Sequence, residues 1–167
     1  MPYASALQLL ARYNADEIAQ RADASLPPLV DGELLRIAAA AGDLSSFTAE
    51  EQAAAAAALA KVERALGDAV QTINTYLGGR YQLPLSQTPD VLERIACQIA
   101  RFVLFDDAAP DQVKALYQDS IRFLEHVAAG KVQLGLASDG STAQPSAGAE
   151  MVSGALVFAR DNSRGFI

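Results

Sequence analysis

The chain has 167 residues, 51% of them hydrophobic and 20% charged, with a net charge of −7 and a pI of about 4.6. That length and mixture suit one globular domain with a real core. The acidic balance argues against gripping nucleic acid through a broad basic face, because that mode matches phosphates with Lys and Arg. An acidic wall that DNA slides past without sticking stays compatible, since like charges repel.

A single cysteine, Cys97, excludes an intrachain disulfide and any multi-cysteine metal site. It points to a reducing compartment or to redox being irrelevant. The opening stretch MPYASALQLLARYNADE has no basic region followed by a long apolar core, so no secretory signal is expected. No apolar run approaches the roughly 20 residues of a membrane helix. A soluble protein made in the cytoplasm is the expectation.

In chain order, Ser5 can cap a short helix carrying Leu7, Leu9, Leu10 and Tyr13, with Asn14 at its C-terminal end. Asp16 starts a second helix to about Ala22. Pro27 and Pro28 break regularity in LPPLVDG, and Glu33 to Ala41 reads as another brief helix ended by Gly42. Thr48-Ala-Glu-Glu51 is a capping box. Beyond it Leu59, Val62, Leu66, Ala69, Val70, Ile73 and Leu77 form one apolar stripe at helical spacing, predicting a helix of about 44 Å if Gly67 does not soften it.

Gly78 and Gly79 are expected to close that helix in the left-handed conformation, which predicts that Gly79→Val destabilises. Thr88-Pro89 reads as an N-cap followed by proline at the first helical position. The stripe Val91, Leu92, Ile95, Ala96, Ile99, Phe102 and Val103 follows. Pro110 restarts a helix with Val113, Leu116, Tyr117, Ser120, Ile121, Leu124 and Val127, ended by Gly130. After it, KVQLGL reads as a strand or a packed extension. SDGSTAQPSAGAE has the small, polar composition of a linker.

Residues through Gly130 hold ten basic and seventeen acidic side chains, whereas the rest is neutral. The terminal GALVFARDNSRGFI concentrates Val157, Phe158, Arg160, Arg164, Phe166 and Ile167. Aromatic, aliphatic and arginine side chains in that density suit a partner-docking arm better than a disordered end.

Catalytic chemistry is hard to find. His126 lies within the last helix beside Glu125 and has no recognisable nucleophile or metal partner. Cys97 sits in an apolar helix, where free cysteine behaves as a small hydrophobe. Asp106-Asp107 and Glu50-Glu51 are adjacent pairs that diverge by about 100° on a helix, so they make no acid–base pair. Gly78-Gly79-Arg80 lacks the glycine spacing and the lysine of a phosphate loop. Arg80 reads as a residue bonding helix C-terminal carbonyls.

The order of motifs resembles the Mu-like prophage family of head–tail connectors, or adaptors. INTYLGGRYQLPL supplies Ile73, Tyr76, Leu77, Arg80, Tyr81, Leu83, Pro84 and Leu85, with Gly78 and Gly79 as the small pair. Ile99, Ala100 and Arg101 match the next helix, and Tyr117, Phe123, Leu124, Gly130, Lys131, Leu134 and Gly135 the last. The opening YASALQLLARYNADEI is similar too. The stretch of about 28–48 is longer than the family pattern and reads as an insertion.

The resemblance implies a non-enzymatic protein of the virion neck, without cofactor or metal. It implies a homo-oligomeric ring between the portal protein and a tail-side stopper or terminator, through which DNA passes without sequence-specific binding. The signature residues Tyr76, Gly78, Gly79, Arg80, Tyr81 and Pro84 are then mainly fold markers. The expected architecture is all-α, four or five helices bundled around the long one. Residues 1–135 form the helical domain, 136–149 a flexible linker and 150–167 an extended C-terminal docking arm. Rival readings are an assembly factor absent from the finished particle and a prophage-encoded, host-directed helical binding protein.

Overall fold

A computed structural model describes residues 2–135 of the chain, so the expected linker and docking arm lie outside the described residues. Six α-helices account for most of that span: α1 (Ala6–Arg12), α2 (Ala15–Ala22), α3 (Gly32–Ala39), α4 (Ala49–Leu77), α5 (Asp90–Phe105) and α6 (Asp111–Ala128). A 3-10 turn, Asp106–Ala108, joins the last two. The all-α expectation holds, with six helices rather than four or five, because each short N-terminal segment is separately capped. The described part of KVQLGL, residues 131–135, forms no strand. Its Val132 and Leu134 pack as an extension on the core.

Local chemistry sets most boundaries. Ser5 and Gln8 form one capping box at α1, and Thr48 and Glu51 form another at α4. Asn14 does not close α1; its side chain accepts the Asp16 amide at 2.9 Å and caps α2 instead, while Tyr13 ends α1. Asp31 caps α3 through the Leu34 amide at 2.8 Å. Thr88 does not cap α5, which begins after Pro89 without a side-chain cap. Gly67 leaves α4 unbroken over 29 residues.

α4 touches all five other α-helices. Ala55, Ala58, Val62, Ala65, Leu66, Ala69, Ile73 and Leu77 line its buried side, and small side chains there let neighbouring backbones approach closely. The stretch 28–48 joins the same core through Val30, Leu34 and Leu35. At Gly32 the start of α3 meets α2 so tightly that a Cβ would lie 2.7 Å from the Asp16 backbone nitrogen. The Gly32 amide donates to Asp16 Oδ1 at 2.9 Å.

α2 and α5 are clasped by Arg101. Its guanidinium donates twice to the Glu17 carboxylate, at 2.7 and 2.9 Å, and lies 4.5 Å over the Tyr13 ring and 5.6 Å from the Phe105 ring. Such two-pronged, partly desolvated pairing is stronger than an open surface ion pair. Arg12 and Gln8 of α1 share the Glu93 carboxylate of α5, at 3.0 and 2.8 Å. A satellite cluster of Phe105, Ala109 and Val113, with Phe102 against it, closes the α5–α6 junction.

α3 ends at Ala39 rather than at the expected Ala41, and its left-handed cap falls one residue before Gly42. Ala41, at φ +52, occupies the left-handed position, with its amide on Ala38 O and the Gly42 amide on Ile37 O. That is the double bond of a Schellman cap, carried by a residue whose Cβ resists it. Ala41→Gly is therefore expected to raise stability by about 0.5–1 kcal/mol, read as a higher urea midpoint at unchanged slope.

The loop after α2 hangs on Asp23, whose carboxylate accepts the Ser25, Leu29 and Val30 amides at 2.8, 2.7 and 2.9 Å. Burial pushes this carboxyl up, but the hydrogen bonds from Ser25, Val30 and Leu29 outweigh it and hold the group at about 2. A depressed carboxylate adds stability that is full above its ordinary value near 4 and lost as pH falls toward 2. Asp23→Asn should lower the thermal midpoint at neutral pH and flatten the loss of stability between pH 4 and 2, as followed by circular dichroism.

Candidate functional site: the corner after the long helix

The signature stretch turns the chain from α4 into α5. Gly78 continues in right-handed geometry at φ −59, ψ −21, and the Arg80 and Tyr81 amides both donate to Leu77 O at 2.9 Å. Neither Gly78 nor Gly79 is left-handed, contrary to the sequence expectation; the positive-φ glycines among the described residues are Gly130 and Gly135. Two amides converging on one carbonyl close α4, so no mirror-image residue is needed. A Cβ at Gly79 would meet nothing within 4 Å. The expected destabilisation by Gly79→Val through forced left-handed backbone therefore loses its basis.

The apolar members of the signature are spent on packing. Ile73 and Leu77 are fully buried, Tyr81 and Leu85 are buried, and Tyr76 and Leu83 pack partly exposed against the same core. Pro84 lies exposed at the bend. The polar heads are used as well. The Tyr81 hydroxyl accepts the Leu134 amide at 3.2 Å, pinning the extension after α6 to the corner. The Tyr3 hydroxyl donates to Asn74 Oδ1 at 2.6 Å, pinning the N-terminus to the last turns of α4. A cleft of about 350 Å³ beside these groups is lined by Tyr3, Asn74, Leu83, Pro84, Leu85 and Thr88.

The Arg80 side chain lies at the C-terminus of α6, not at that of α4, which it directly follows. Its guanidinium rests against Gly130, where a Cβ would overlap it. α6 ends there in a Schellman cap, with the Gly130 amide on Val127 O and the Lys131 amide on His126 O. A cation over the partly negative end of a helix is favourable. Glycine at 130 thus answers two demands, a φ of +76 and the space Arg80 occupies.

The remaining candidates are accounted for plainly. His126 is exposed on α6. Cys97 is fully buried, and burial pushes its thiol up to about 11 despite the nearby Arg12 charge. Asp106 and Asp107 are exposed in the turn before α6, with Asp106 at φ +51. Among the described residues no group of three His, Cys, Asp or Glu side chains could hold a metal ion, and no helix is long and apolar enough to cross a membrane. Val157, Phe158, Arg160, Arg164, Phe166 and Ile167 lie outside the described residues. Sequence reasoning missed the Tyr3–Asn74, Tyr81–Leu134 and Arg80–Gly130 contacts, and the signal was the tyrosines: a buried ring with a polar tip needs a partner.

These features define a small all-α protein whose apolar signature residues pack into one core while its turn residues stay exposed. The chain belongs to the Bacteriophage Mu, Gp36 family, whose pattern it matches over residues 3–153. It is 53% identical over 108 residues to the Mu-like prophage FluMu protein gp36 of Haemophilus influenzae, an overlap covering 65% of this chain and 77% of that protein. It is 39% identical over 111 residues to gene product J of Escherichia phage Mu, again covering 65% and 77%. It is accordingly a phage protein.

Gly130→Ala is expected to cost about 1–2 kcal/mol or more through left-handed strain and contact with Arg80. Arg80→Ala in that background should recover only the contact. Gly79→Ala should stay within about 0.5 kcal/mol of the parent. Denaturant unfolding of the four proteins checks all three expectations.

Proposed function

We propose that the chain is a structural, non-enzymatic head–tail connector of a tailed phage or prophage. In this reading it forms a homo-oligomeric ring in the virion neck, between the portal protein and a tail-side stopper or terminator. DNA passes through the ring without being read. Membership of the Gp36 family supports the phage setting, and the motif order supports the connector role.

The single observation that carries the reading is how the described signature is spent. Its tyrosines, leucines and arginine brace a helical body, leaving the exposed acidic surface and the arm of residues 150–167 to act on partners. Acidic side chains repel a phosphate backbone, which suits a passage that DNA must traverse without being held. The arm supplies the anchors Val157, Phe158, Phe166 and Ile167 together with Arg160 and Arg164, an interface composition.

Quantitative mass spectrometry of purified mature particles tests this directly. A ratio to the portal protein of the order of one ring per vertex is expected. Absence from particles, beside abundant protein in the lysate, would overturn the connector reading in favour of an assembly factor. Removing everything after Ser153 should leave helicity and thermal unfolding unchanged while abolishing incorporation. Loss of the cooperative transition would instead make the arm part of the core.

A further inference from the structure

Among the described residues three large apolar side chains are exposed: Leu26 at 96%, Leu7 at 44% and Val103 at 38%. Leu26 stands apart, because it is almost wholly in solvent and yet sits on an organised loop. The three amides bonded to Asp23 fix the backbone on both sides of it, and Pro27 and Pro28 follow it. An apolar side chain held out on a preorganised loop loses little entropy when it is covered.

A receptor of matching character exists elsewhere on the molecule. A groove of about 390 Å³ runs between the start of α1, the end of α3 and the middle of α4. Leu7, Ala39, Leu66, Gly67 and Val70 line it, and Glu63 stands at its edge. Gly67 has nothing within 4 Å, so the groove floor there is bare backbone. A second apolar depression shares Leu7 and carries Glu33 and Arg36.

The two surfaces lie on opposite flanks of α4. The Leu26 loop rises beside a cleft lined on α4 by Ala54, Ala57, Lys61 and Arg64, whereas the groove uses Glu63, Leu66, Gly67 and Val70. At about 100° per residue the centres of these two sets are roughly 150° apart around the helix. One molecule therefore cannot seat its own Leu26, and a second copy can. Charge favours the match: Lys61 and Arg64 flank the knob and Glu63 lines the groove, whereas Glu33, in the neighbouring depression, is already paired with Arg36 at 4.0 Å. Glu50 and Asp68 fall toward the ends of the basic flank.

We propose that Leu26 of one copy docks in the Leu7–Gly67 groove of the next, with Lys61 and Arg64 of the first facing Glu63 of the second. The contact is heterologous, so it repeats head to tail, closing into a ring or extending as a filament. It rests on the connector reading only for the closure into a ring.

The test is site-directed cross-linking with Ala24→Cys and Ala40→Cys in one chain. Both are exposed alanines, one beside the Leu26 knob and one beside the groove, so the substitutions keep the knob, the groove and the fold, and the buried Cys97 thiol stays unreactive. A short bismaleimide, applied to concentrated protein and to purified particles, is expected to give a ladder of covalent dimers, trimers and higher species. Each single variant should give dimers at most. No species beyond those of the single variants overturns the proposal. The content of the protein in the same particles, measured by mass spectrometry, tells that failure apart from failure of the connector reading. Protein present without a ladder sinks this interface alone; a ladder in solution with protein absent from particles sinks the connector alone.

Discussion

The structure depends on α4 remaining one unbroken helix of 29 residues. An isolated helix of that length in water draws most of its stability from what packs along it, and here every other α-helix does so. The alanine-rich first half matters as much as the larger side chains that follow. Ala55 and Ala58 are completely buried, as are Ala15 and Ala19 of α2 and Ala96 and Ala100 of α5. Small buried faces allow short helices to sit close enough to share one core. The alanine excess of the composition is therefore a packing device as well as a helix-forming one.

Around that axis the polar contacts are few and placed at joints. Arg101 with Glu17, and Arg12 with Gln8 and Glu93, tie the N-terminal helices to α5 across more than 80 residues of sequence. Tyr3 and Tyr81 do the same at the far end of α4, one holding the N-terminus and the other the extension after α6. Ser120, the one buried polar side chain among the described residues, satisfies itself on Leu116 O and Gln98 Oε1 at 2.8 and 2.7 Å. The joints lie where elements from distant parts of the sequence meet, so the described body behaves mechanically as one piece that holds its loops in fixed positions.

The helices themselves were legible in the sequence because their causes are local. The capping box of Thr48 and Glu51, the stripe from Leu59 to Leu77 and the stop at Gly130 depend on residues within a few positions. The misreadings share one source, the use of a residue's type without the geometry of its neighbours. Asn14 suits either side of a one-residue break, and α2 takes it. Gly78 and Gly79 look like a left-handed stop, yet Leu77 O receives two amides and makes one unnecessary. At α3 an alanine takes the position that a glycine one residue later seemed made for. The corner's apolar residues were readable as fold markers. Where Arg80 lands was not, because Gly130 is 50 residues away and nothing local connects them.

The buried thiol has a consequence for endurance. With burial pushing the Cys97 thiol up to about 11, the reactive thiolate is a minor species at neutral pH, and it is shut inside the core against α5's neighbours. Sulfenic acid and mixed disulfides begin from an accessible thiolate. Oxidation or covalent cross-linking through this lone sulfhydryl therefore has to wait for α5 to come away from the core.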